Sequence, residues 1–110
     1  MKGGENMDEK YFYFITVFQK LPSDAIHFDI GNRRCWGFFC DKETAVKAVH
    51  ENWTDLSEYL YSYAVIEEYR EGLVGWTGNR QFFQFNAKKK EYFDIDEPAA
   101  FRHVGAFSIG

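Results

Sequence analysis

A chain of 110 residues, 45% of them apolar and 27% charged, suits one globular domain and is too apolar for a disordered segment. Its formal net charge of −4 argues against a broad basic face for nucleic acid, and no stretch approaches the roughly 20 apolar residues of a membrane helix. The outlying quantity is aromatic content: 12 Phe, 7 Tyr and 3 Trp, a fifth of the chain, more than so small a core encloses with ease.

The first residues read MKGGENMDEK. Back-translation of Lys2-Gly3-Gly4 admits AAAGGAGG, a bacterial ribosome-binding sequence placed just ahead of the Met7 codon. Residues 1–6 are therefore expected to be translated leader, residues 1–9 a disordered tail, and residues 10–110 a single α+β domain. The opening lacks the apolar run of a signal peptide, so the cytoplasm is the expected compartment.

"KYFYFITVFQK", residues 10–20, is rich in aromatic and β-branched residues on both faces and reads as an interior strand. Pro22 breaks it, "AIHFDI" reads as a ragged continuation, and "RRCWGFFC", residues 33–40, as the next strand. Cys35 and Cys40 would point to opposite faces of that strand, so reduced thiols are expected. "DKETAVKAVHENW" is the clear helix, with Asp41 as N-cap, Glu43 in the first turn, and Ala45, Val49 and Trp53 recurring every fourth residue. "YLYSYAVIEEYR", residues 59–70, alternates as a strand. It places Tyr61, Tyr63, Glu67 and Tyr69 on one face and the smaller Ala64 and Ile66 under the helix. "EGL" and "TGN" read as turns around "VGW". "RQFFQFN" and "EYFDID" flank "AKKK" as a hairpin with a basic tip, and Pro98 opens a short helix. "GAFSIG" reads as a possible sixth strand. The expected fold is a two-layer α+β domain. It has a five- or six-stranded, mostly antiparallel sheet, one main helix on a face and a short C-terminal helix.

Catalytic constellations are scarce. Cys35 and Cys40 have four residues between them, but the histidines are dispersed and complete no four-ligand cluster, and no phosphate loop is present, so no metal, cofactor or catalytic residue is assigned. Glu67 and Glu68 are neighbours on a strand and would face opposite ways, which excludes a shared dyad. Residues 54–79 hold five acids and one base, an acidic middle beside the aromatic strand.

"DKETAVKAVHENWTDLSE", followed by "YSYAVIEEYREGL" and the later "FFQFN…EYFDIDEP", resembles a group of small proteins of Firmicutes phages and mobile elements. The matching motifs are a helix cap, a buried strand and a turn. The resemblance implies a setting and transfers no functional residues. With the missing catalytic constellation, the aromatic excess and the acidic 54–79 segment, that setting makes the expected function that of a non-enzymatic binding protein that occupies a host defence component, for example a CRISPR nuclease. Asp55, Glu58, Glu67 and Glu71 would supply charge against a site that takes DNA phosphates. Tyr61, Tyr63, Tyr69 and Trp76 would supply apolar anchors. The alternative is a homo-oligomeric binder of a nucleotide signal, with Arg33, Arg34 and Trp36 lining a pocket. A homodimer suits the aromatic surplus. Direct nucleic-acid contact by the three lysines at 88–90 is the lesser reading, because charged turns are usually solvated.

Overall fold

The computed structural model describes residues 10–24, 26, 29–53, 61–73, 75–102 and 104–106. Its elements run β1 (Tyr11–Phe18), β2 (Arg33–Phe39), α1 (Lys42–His50), β3 (Tyr63–Arg70), β4 (Trp76–Asn86) and β5 (Glu91–Ile95), then a 3-10 turn at Ala99–Phe101. Every strand pairing is antiparallel, and the order across the sheet is β2-β1-β3-β4-β5. The expected α+β class holds, with five strands among the described residues. Ile26, Asp29 and Ile30, read as part of a strand, lie outside any. Residues 104–106 are likewise not a strand, and 107–110 fall outside the described residues.

The helix begins where its cap predicts. Asp41 accepts hydrogen bonds from the Thr44 amide at 2.9 Å and the Thr44 hydroxyl at 2.6 Å. It stops at His50 because Asn52 turns left-handed at φ 53°. Bonds from Asn52 N to Val49 O and from Trp53 N to Ala48 O then close the last turn. Trp53 therefore lies beyond the helix, and Ala48 joins Ala45 and Val49 on its buried face. These three pack on Ile15, Val17, Ala64, Ile66, Phe83 and Tyr92, one face of the sheet. The small Ala64 opposite Val17 gives the helix its close approach.

A second cluster fills the other face: Phe18, Ile30, Val65, Phe82 and Phe101. Phe101 comes from the C-terminal 3-10 turn, so residues after β5 cross back over β4 and cover it. Each fully buried Phe stabilises the fold by about 2–3 kcal/mol.

"TGN" is not a turn but an irregularity inside β4. Register shifts between Glu67 and Tyr69, so Thr77, Gly78 and Asn79 bulge opposite Glu68. Gly78 supports the bulge at φ 91°, which a side chain would resist.

Candidate binding groove over a buried ion pair

Alternation along β3 sends its two glutamates to opposite faces, as the sequence predicts. Their fates differ. Glu67 is fully buried, opposite Arg80 of β4, whose side chain is only 4% exposed. Arg80 Nη1 lies 3.7 Å from Glu67 Oε2, and the Tyr69 hydroxyl donates to Glu67 Oε1 at 3.5 Å. The same guanidinium donates from Nε to Glu97 Oε1 at 2.8 Å and from Nη1 to Gly105 O at 3.2 Å. It also donates from Nη2 to Phe101 O. Its carbon lies 5.3 Å from the centre of the Trp76 ring and 5.5 Å from that of Phe82. One arginine thus fastens the C-terminal segment to the sheet while neutralising a buried carboxylate.

Beside this pair lies an apolar groove of about 530 Å³, walled by Phe12, Phe14, Tyr69 and Trp76 and by the turn after β3. Phe14 stacks on Phe38 at 5.1 Å and meets Tyr69 edge-on at 5.1 Å. Phe38 stays 52% exposed, and Leu73, on the turn at the groove, is 96% exposed. Trp76 Nε1 is buried without a hydrogen-bond partner among the described residues.

Glu68 faces the helix side and a polar hollow of about 230 Å³ that Lys42, Asn79 and Gln81 also line. Thr77 Oγ1 donates to its Oε1 at 2.8 Å and Asn79 Nδ2 at 2.9 Å. Burial pushes the Glu68 carboxyl up, but hydrogen bonds from Asn79, Thr77 and Tyr13, with the Lys42 charge, outweigh this. They hold it below its ordinary 4.5. Partial burial and then the Glu68 charge push the Tyr13 phenol above its ordinary 10.0. Among the described residues no three His, Cys, Asp or Glu are grouped to hold a metal ion. Cys35 and Cys40 are both free and exposed.

Several expected site residues are redistributed. Glu67 is no surface acid: it is sealed under the C-terminal segment, so it cannot confront a partner's charge. Glu71 remains exposed at the groove, and Asp55 and Glu58 lie outside the described residues. Tyr69 and Trp76 do come together, as groove walls. Tyr61 and Tyr63 separate: Tyr61 packs against the helix-side cluster, and Tyr63 stacks on Phe18 at 5.5 Å on the other face. Arg33 sits opposite Phe18 and Arg34 opposite Val17, so the two arginines take opposite faces and no three-sided clamp forms with Trp36. Trp36 shares Arg34's side and packs against the helix-side core. Phe12, Phe14 and Leu73 line the groove and Arg80 holds the ion pair beside it, yet none of the four is singled out by the sequence pattern. The one available signal was a lone arginine in the aromatic run of β4.

Among the described residues, no helix is long and apolar enough to cross a membrane. Compared with protein-family models, curated proteins and solved structures, the chain finds no match.

Proposed function

We propose that this chain is a non-enzymatic binding protein that acts by occupying another protein, which inserts an apolar segment into the groove of Phe12, Phe14, Tyr69 and Trp76. The observation that supports this reading is the pairing of that groove with Leu73, 96% exposed on the adjoining turn. Isolated surface leucines need no explanation, but a continuous aromatic floor with an apolar rim suits a protein interface. Ring anchors held rigidly by stacking lose little entropy on binding. The Trp76 ring supplies a broad apolar wall to the incoming segment.

In the mobile-element setting that the helix and β3 motifs imply, the partner is a bacterial host protein, with a defence nuclease as the expected target. Arg70 and Glu71 both border the groove, so the contact rests on its apolar floor rather than on net negative charge.

Tagged wild-type protein and Leu73→Glu, purified gently from a bacterial host and weighed by native mass spectrometry, test the reading. The wild type is expected to carry a host protein in fixed stoichiometry, and Leu73→Glu to lose it at an unchanged thermal midpoint. A bare wild type, or a partner kept by the variant, rejects the groove as the contact. An added mass of small-molecule size in place of a protein turns the reading to ligand sequestration.

A further inference from the structure

The hairpin joining β4 to β5 has a chemistry that the groove does not use. Asn86 Oδ1 accepts from the amides of Lys88 at 2.9 Å and Lys89 at 3.2 Å, and the Lys90 amide donates to Asn86 O at 2.8 Å. These bonds fix the turn and leave Lys88, Lys89 and Lys90 exposed in a row. Lys90 holds φ 57°, the left-handed conformation that glycine adopts freely and an L side chain does not. A turn that needed only to reverse the chain would be better served by glycine. A cation kept there against local preference is the kind of conflict that marks a functional position.

An aromatic ring, an open groove and a paired carboxylate adjoin it. The Phe93 ring is half-buried, with Lys89 Nζ 5.5 Å from its centre and the His50 ring set edge-on at 5.3 Å. An open groove of about 550 Å³ runs along the tip, bordered by Gln84, Asn86, Lys88, Phe93 and Ile95. The carboxylate at the base of the turn, Glu91, is turned to His50 (Oε2–Nε2 3.5 Å). The tip is therefore locally positive in a chain whose formal charge is −4.

We propose that this tip binds single-stranded nucleic acid. The lysines meet neighbouring phosphates, and one base leaves the strand's own stack to lie in the groove against Phe93, its edge facing the Gln84 amide. Cations confined to one narrow turn cannot follow the backbone of a duplex, and an aromatic face is useful only to an unstacked base. The site is independent of the apolar groove. Trp76 and Asn86 are the two ends of β4, about 30 Å apart at strand rise.

Fluorescence anisotropy with a labelled oligo-uridine of about 12 nucleotides, titrated with full-length protein at low salt, tests it. Replacing all three lysines by Gln is expected to weaken binding at least tenfold. It should also flatten a salt dependence whose logarithmic slope is about −2 in the wild type. Phe93→Leu should weaken binding several-fold with less change in that slope. Lys90→Gly gives the sharpest contrast: its thermal midpoint should rise while its affinity falls. Any of three results overturns the proposal: no wild-type binding at about 100 µM protein, equal binding by the triple variant, or duplex of the same length bound as tightly as the single strand. Leu73→Glu should bind the oligonucleotide like the wild type, which separates failure of this site from failure of the apolar groove.

Discussion

Replacing Arg80 by Met keeps much of the apolar stem between Trp76 and Phe82 but removes every donor of the guanidinium. Glu67 is then a buried carboxylate without the guanidinium charge, Gly105 O loses the arginine donor, and Phe101 O loses it too but keeps the bond from Val104 N. Breaking a buried pair from one side typically costs about 3–5 kcal/mol, whereas replacing both partners by apolar groups of similar shape is often nearly neutral. Chemical denaturation should therefore show Arg80→Met strongly destabilised and the double variant Glu67→Leu/Arg80→Met recovering much of the loss. Equal destabilisation of single and double variants would mean that the Glu97 and carbonyl contacts, rather than the Glu67 charge, dominate. The alternation of β3 correctly separates Glu67 from Glu68, yet it does not say which face is covered. The covering residues, among them Glu97, Phe101 and Gly105, arrive from the far end of the chain and leave no mark in the local pattern around Glu67.

The elements that depend on neighbours in sequence were legible, and those that depend on partners across the sheet were not. Asp41 and Thr44 lie within one helical turn, and Asn86 reaches only to Lys89, so the cap and the basic hairpin could be read directly. Thr77-Gly78-Asn79 has turn composition, but pairing with β3 keeps it in a strand, and Glu68 across the ladder takes up the polar side chains. The groove also depends on a close backbone fit in the turn after β3, set by geometry rather than by composition. There Arg70 N donates to Gly75 O at 2.7 Å, and a Cβ on Gly75 would sit 2.0 Å from Arg70 O. Gly75→Ala must push backbone from backbone, costing about 1–3 kcal/mol as overpacking does. It should also weaken partner binding at the groove more than oligonucleotide binding at the hairpin tip. Native-state hydrogen exchange should show the change concentrated at Arg70 and Glu71.

For the whole molecule, acid is the revealing perturbation. Asp29 is held below its ordinary 3.8 by its bond from Lys20, Asp41 below 3.8 by the Thr44 hydroxyl and amide, and Glu68 below 4.5 by the bulge side chains and Tyr13. A carboxyl depressed in the folded state stabilises that state above its unfolded pKa. The contribution disappears as pH falls through the folded value. Stability is thus expected to fall as pH drops below about 4, with proton uptake on unfolding. Asp41→Asn and Glu68→Gln should each reduce the slope of that decline, which thermal midpoints measured between neutral and acid pH would show. The strand order also has a consequence in time. β3, β4 and β5 form a meander through short connections, and β1 and β2 form a separate hairpin, but Tyr11 must find Arg70 across the whole helix and its flanks. Closing so long a loop has to precede the contacts that repay it. The β1–β3 seam is therefore expected to be the late encounter of folding, and a chain caught before it forms would present a raw strand edge on each half to any other chain being made nearby.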